Sequence, residues 1–319
     1  MSETTNVKRR IRLGSLLVFL GATFFGTYPV LAKLAYLGGV NNITLLFLRF
    51  SGASVAIWLY LWLSRRLGKS LVGTGYQKIE PTVGLKLFIL GGVIYGSMSG
   101  LNLIGITRVS ASLSCLLLCT YPVFVTIVTV LTGREKMDAV KGIALSVAFL
   151  GVYFLLNVVV GTLDLVGIIC ALGSSLIFTA YVVIGDRLMT GLNPIETNAY
   201  VMTGSAVTYA LTGLFTKQLS FLFAAVSWWY IMAIVVFPTI FALVMYWAGI
   251  LILGPSRGSI IGMVEPLATV VIARFVFTEL LSPLQIFGAA LILGGIFILQ
   301  YPWPEKLRKA QASHVNAGE

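Results

Sequence analysis

Glu265 is the residue in this sequence best placed to do chemistry. It stands nine residues into an apolar stretch spanning 257–277. A carboxylate at that depth in a bilayer costs about 2.5–3.5 kcal/mol by insertion scales, so it must face a cavity, find a partner or hold a proton. One reading is structural, with the carboxylate accepting hydrogen bonds from backbone or arginine. The other is functional: it binds a cationic group or carries a coupling proton. Pro266 follows it; by removing a backbone donor it predicts a kink and frees the Gly262 carbonyl for a ligand, water or neighbouring helix. Tyr28-Pro29 and Tyr121-Pro122 place the same proline signal in two other apolar stretches, so Pro29, Pro122 and Pro266 are read as gating kinks. Polar and aromatic groups at similar depth complete a candidate cavity lining: Tyr28, Tyr95, Ser97, Ser99, Asn102, Tyr121, Tyr181, Tyr246 and Trp247. Arg49 is read as structural, snorkelling to the interface or meeting a carboxylate or helix-end carbonyls.

Other chemistries lack their residues. The one histidine, His314, stands in a polar tail, which removes a histidine-based metal site or triad from the apolar region. Cys115, Cys119 and Cys170 lie inside apolar runs and form neither a disulfide framework nor a paired metal motif. There is no GxSxG, HExxH or GxxxxGK[ST] sequence, which argues against an intramembrane hydrolase and against direct ATP drive. No cofactor and no metal are expected, and the chain is not read as an enzyme.

The elements that position these residues follow from composition. Of 319 residues, 58% are hydrophobic and 10% charged, against about 45–50% and 25% in soluble domains. A spanning helix needs roughly 20 mostly apolar residues. Ten stretches qualify: 13–32, 43–63, 85–105, 110–131, 139–157, 165–185, 195–215, 229–251, 257–277 and 283–300. The first follows Lys8, Arg9, Arg10 and Arg12 but is too long for a signal-peptide core, and is read as a retained helix. With the N-terminus inside, 17 of the 22 Lys and Arg fall on the inner side, while Lys33, Arg108, Lys217 and Arg274 mark the outer ends. That asymmetry sets both termini in the cytoplasm and accounts for the +11 net charge without nucleic acid.

The chain also repeats itself. Gly39-Val40-Asn41-Asn42-Ile43 matches Gly191-Leu192-Asn193-Pro194-Ile195, and Ser51-Gly52-Ala53 matches Thr203-Gly204-Ser205, at an offset of 152. Beyond the longest loop the offset becomes 144: Ser112 with Ser256, Tyr121-Pro122 with Glu265-Pro266, Glu135 with Glu279, Gly151 with Gly295. Each copy holds five spans. Five is odd, so the second copy enters the bilayer from the opposite side, the inverted repeat of many secondary transporters. The expected organisation is a basic tail over 1–12, repeats over 13–157 and 158–300, and a second tail over 301–319. Gly92, Gly96 and Gly100, then Gly167, Ala171 and Ser175, and Gly258 with Gly262, form small-residue stripes that let helices pack closely or slide.

Several stretches resemble the EamA-type members of the drug/metabolite transporter superfamily. They are Gly26-Thr-Tyr-Pro-Val-Leu-Ala-Lys33, Leu48-Arg49-Phe50, Thr107-Arg-Val-Ser-Ala-Ser112 with Tyr121-Pro122, and Gly254-Pro-Ser-Arg257 through Glu265-Pro266 to Gln285 and Gly288. The resemblance covers about residues 13–300. It departs at Gly133-Arg134-Glu135, where the family often has Gly-Glu-Arg. It implies an all-α membrane protein of ten helices in two inverted halves, with a central cavity faced by spans 1, 3, 4, 6, 8 and 9. It also implies export of small metabolites, often amino acids, across a plasma (bacterial inner) membrane. Proton coupling and a homodimer are options, and an anionic substrate such as a nucleotide sugar or phosphorylated compound is the alternative.

Overall fold

The computed structural model describes residues 2–66, 78–109, 117–134, 137–156, 164–277 and 282–300. Ser112, Cys115, Glu135, Glu279 and His314 lie outside them. The regular elements are helical: α1 (Ser2–Phe25), α2 (Tyr28–Leu37), α3 (Asn42–Arg66), α4 (Pro81–Ile89), α5 (Gly96–Arg108), α6 (Tyr121–Leu131), α7 (Ala139–Leu156), α8 (Leu165–Met189), α9 (Pro194–Thr216), α10 (Ser227–Val235), α11 (Ala242–Leu253), α12 (Pro255–Gly262), α13 (Val264–Phe277) and α14 (Pro283–Gln300). Two π-helical segments, Leu90–Tyr95 and Val236–Phe241, join α4 to α5 and α10 to α11.

Every predicted span contains helix, and among the described residues six helical runs are long and apolar enough to cross a membrane. Side-chain distribution is that of a protein dissolved in lipid. Val93, Leu150, Ile169, Phe275 and Phe297 are exposed, while Thr44, Ser174, Ser175, Asn198, Ser205, Ser256 and Ser259 are fully buried. A soluble protein shows the reverse bias; in a bilayer the polar groups turn inward and join helices. Thr120 shares a hydrogen bond with Ser175 at 2.9 Å, Thr129 with Ser256 at 2.8 Å, and Ser54 with Thr203 at 2.7 Å.

The inverted repeat is visible in the packing. Span 1 lies on span 8 as span 6 lies on span 3; span 1 meets span 9 as span 6 meets span 4; spans 2 and 7, and spans 5 and 10, pair with each other. The 144-residue offset recurs in atomic detail where α7 crosses α14. A Cβ on Gly151 would stand 2.7 Å from the Ile292 nitrogen, and one on Gly295 would stand 2.9 Å from the Ala148 nitrogen. The two π segments also occupy equivalent places, in spans 3 and 8. In the second, Pro238 lacks the N–H that an α-helical ladder needs. In the first, Gly91 and Gly92 give their carbonyls to Ser205 and Thr208 of α9, both at 2.9 Å.

Several expected boundaries and kinks are corrected. Span 1 is two helices separated at Gly26–Thr27, and span 9 breaks at Met263. Pro29 and Pro122 are the second residues of α2 and α6, and Pro266 is the third residue of α13. They open half-helices rather than bend continuous ones, because a proline in the first turn forfeits no helical hydrogen bond. At the start of α8, Asp164 accepts the Gly167 N–H at 3.0 Å and the Arg108 Nη1 at 3.3 Å; these contacts, the backbone one foremost, hold its carboxyl below the ordinary range. This cap is intact at neutral pH and is lost as pH falls through that lowered value.

Candidate functional site

The breaks in spans 1 and 9 face each other. Thr269 Oγ1 donates to the Gly26 carbonyl at 3.0 Å, satisfying an acceptor that the break leaves open. A Cβ on Gly26 would stand 2.7 Å from the Glu265 carbonyl oxygen. Glu265 is the second residue of α13, so its carboxylate sits at the positive end of a half-helix, where the aligned peptide dipoles favour an anion. The side chain is half-buried, and no residue among those described bonds or ion-pairs with the carboxylate.

Arg49 supplies the opposite charge. It does not snorkel: it is 5% exposed, with Nε donating to Thr239 Oγ1 at 2.8 Å and Nη2 to the Pro238 carbonyl at 3.4 Å. Its guanidinium lies 4.2 Å from the Tyr28 ring centroid and 5.1 Å from that of Phe50. The acceptors belong to the second π segment, whose altered ladder leaves carbonyls turned outward. Among the described residues no cationic nitrogen comes within ion-pair distance of the Glu265 carboxylate.

Aromatic rings from six spans close around these groups. Tyr95 packs on Tyr181 at 4.8 Å and on Phe50 at 5.7 Å; Tyr181 meets Trp247 at 5.4 Å; Tyr121 meets Phe178 at 4.7 Å; Tyr246 meets Phe25 at 5.8 Å. Trp247 Nε1 donates to the Tyr181 hydroxyl at 3.0 Å. Tyr95, Tyr121, Tyr181, Tyr246 and Trp247 are buried, and Tyr28 is half-buried. The other predicted lining residues stand apart. Ser97 is exposed, Ser99 donates to the Tyr95 carbonyl within its own span at 3.0 Å, and Asn102 is half-buried in the middle of α5. An apolar pocket of about 300 Å³ lies elsewhere, between spans 2 and 8, lined by Ala56, Tyr60, Ile240, Phe241 and Met245 among others.

Two buried hydroxyls, that of Tyr246, whose ring lies 3.4 Å from a Cβ placed on Gly262, and that of Ser259, have no well-aligned hydrogen-bond partner among the described residues. A buried polar group left unpaired costs roughly 1–3 kcal/mol, which marks the place as one that gains from a polar guest. Tyr121 converges there, its hydroxyl donating to the Ser259 carbonyl at 3.4 Å. A Cβ on Gly262 would stand 2.7 Å from that hydroxyl. Gly262→Ala is therefore expected to push Tyr121 aside and lower transport several-fold, with the elution profile of the purified protein unchanged.

Among the described residues the basic side chains do not gather into an anion site. Arg49 is held on span 8, Arg108 pairs with Asp164 at 3.3 Å, and Lys33 is exposed. Sequence reasoning missed Arg49, Phe50, Phe178 and Thr239 as parts of the cluster. For Arg49 the signal was present: it and Glu265 are formal charges deep in predicted spans, and each has the sign the other needs.

Comparison with known proteins gives the same picture. The EamA-like transporter family matches twice, over residues 12–157 and 165–301. The uncharacterized transporter YcbK of Bacillus subtilis (strain 168) is 24% identical over 93% of this chain and 95% of its own length. A second uncharacterized transporter of that organism, YyaM, is 26% identical over 77% of this chain and 84% of its own. A protein of known crystal structure superposes with a TM-score of 0.75 at 15% identity, covering 90% of this chain and 97% of the other, and so shares the fold. Two tandem matches that together span nearly all of a ten-span, two-fold bundle leave one assignment: the chain belongs to the EamA-like transporter family.

Proposed function

We propose that the protein is a secondary exporter of small metabolites, amino acids or related amphipathic compounds, working by alternating access around the Glu265 cluster. The supporting observation is a carboxylate at a half-helix N-terminus, without a direct partner among the described residues, amid aromatic and hydroxyl groups where both repeats meet. A single carboxylate can hold a proton or a substrate cation, but not both at once. Exchange of the two drives substrate out as protons enter. The half-helix breaks and the paired π segments supply the places where each repeat bends, since interrupted hydrogen-bond ladders deform at low cost. In this reading both termini face the cytoplasm of a cell whose plasma membrane holds the protein, an orientation that the distribution of Lys and Arg supports.

Everted vesicles test this directly. Amino acids and their amines are expected to accumulate in vesicles containing the protein when the lumen is acidified, and to stop accumulating when an ionophore collapses the gradient. Uptake equal to that of protein-free vesicles across the whole panel overturns the proposal.

A further inference from the structure

We propose that Arg49 and Glu265 are the two poles of one binding site, in which Arg49 takes the carboxylate and Glu265 the ammonium of a zwitterionic ligand. This rests on the transporter reading above and deepens it by assigning the site a charge pattern. Two buried charges of opposite sign normally close on each other, because an unpaired charge in a low-dielectric interior is costly. Here Arg49 stacks on Tyr28, and Gly26, two residues earlier, lies against the Glu265 backbone, yet among the described residues no cationic nitrogen stands within ion-pair distance of the carboxylate.

The separation is built in. Thr239 Oγ1 and the Pro238 carbonyl hold the Arg49 guanidinium against span 8. Thr239 is itself fixed, donating to the Ile234 carbonyl at 2.7 Å. Tyr28 covers one face of the guanidinium at 4.2 Å. These bonds use two of the five guanidinium N–H groups. On the other side, Glu265 is fixed to the start of α13, whose N-terminus supports its charge. A ligand bearing both charges would bridge the two, its carboxylate on the guanidinium and its ammonium on the Glu265 carboxylate, at the ~2.7–2.9 Å of charge-assisted bonds. The buried hydroxyls of Tyr246 and Ser259, which lack a well-aligned partner among the described residues, offer further acceptors for the ammonium hydrogens.

The arrangement also explains an asymmetry between the repeats. At the place equivalent to Arg49 the second repeat has Val201, and a Cβ on Gly91 would meet the Val201 carbonyl. There spans 3 and 7 close backbone to backbone, with Ser205 and Thr208 bonding the first π segment directly. In the first repeat a long cation fills the equivalent contact with span 8, which is more than packing requires and is what ligand recognition uses.

The experiment measures binding by thermal shift of purified protein against phenylalanine, phenethylamine, which lacks the carboxylate, and N-acetylphenylalanine, which lacks the ammonium. Wild type is expected to bind phenylalanine about 10- to 100-fold more tightly than either analogue, the range of a charge-assisted contact. In Arg49→Met, phenylalanine and phenethylamine are expected to become equivalent, while discrimination against N-acetylphenylalanine persists. Arg49→Lys keeps the charge but loses the planar fork; it is expected to retain the preference with weaker affinity, and it serves if Arg49→Met does not fold. Persistence of the full preference in Arg49→Met overturns the proposal and leaves the transporter reading standing. Should Arg49→Met be unfolded, a Lys variant with unchanged phenylalanine affinity overturns it too. No shift of wild type by any of the three compounds, together with no uptake of any panel compound, overturns both.

Discussion

Gly91→Ala is expected to lower the melting temperature of the purified protein by about 6–12 °C, the equivalent of a few kcal/mol in a chain of this size. The new methyl group would meet the Val201 carbonyl, and the neighbouring Gly204 has the same relation to the Phe88 carbonyl. Both obstacles are backbone, so no side-chain rotation relieves the clash; spans 3 and 7 must move apart. That separation stretches three bonds of 2.9 Å: Ser205 Oγ to the Gly91 carbonyl, Thr208 Oγ1 to the Gly92 carbonyl, and the Tyr209 hydroxyl to the Gly96 carbonyl. Interhelical bonds in membranes average about 0.6 kcal/mol each, and overpacking adds about 1–3 kcal/mol. Gly294→Ala is the control. No atom lies within 4 Å of a Cβ placed there, and alanine is the better helix former, so its melting temperature should equal or exceed that of wild type. If Gly91→Ala melts within a degree of wild type, the close approach of the two spans does not carry stability.

The contrast between these glycines shows what the sequence could convey. Spans were legible because lipid demands unbroken apolar runs, and the repeat was legible because Gly151 and Gly295 keep a constant offset that the packing of α7 on α14 then uses. The small-residue stripe of span 3 was legible as a packing face, but its tightest member, Gly91, lies one residue outside the Gly92–Gly96–Gly100 series. It falls there because the π segment adds a residue to the turn and rotates the following helix. A 3.6-residue period cannot register that insertion. The same limit hid the role of the prolines, which read identically whether they bend a helix or begin one. For Arg49 the sequence left both snorkelling and a meeting with a carboxylate or helix carbonyls open, and its bond to the Pro238 carbonyl is of the second kind. Snorkelling is a sound expectation for a lone cation near a helix end, and only the three-dimensional meeting of α3 with the second π segment reveals acceptors inside the bundle. Tyr95, Tyr121, Tyr181, Tyr246 and Trp247 were found together because aromatic residues with polar tips are scarce on lipid-facing surfaces at depth; Ser97 was grouped with them on polarity alone and is exposed.

Glu265→Gln is expected to abolish gradient-driven uptake in everted vesicles, to below about one-tenth of the wild-type rate, while the protein remains folded. The amide is close in shape to the carboxylate and keeps an acceptor, so packing at the start of α13 is preserved. What disappears is the negative charge and the proton site. A substrate ammonium then enters a cavity with no counter-ion, losing a charge-assisted bond of about 1.5–3 kcal/mol. No proton can be exchanged for it, so residual flux should be insensitive to the gradient. Glu265→Asp separates the two parts of the claim. It retains charge and proton but withdraws the carboxylate by one methylene from a site fixed by Gly26, Thr269 and the half-helix N-terminus. Its uptake should be slower and still gradient-dependent. A structural carboxylate predicts the opposite ranking: because no described side chain bonds Glu265 directly, the isosteric Gln would be tolerated and the shorter Asp would be the more damaging change. Gradient-dependent uptake by Glu265→Gln at the wild-type rate would therefore remove Glu265 from the coupling mechanism and return it to the architecture of the bundle.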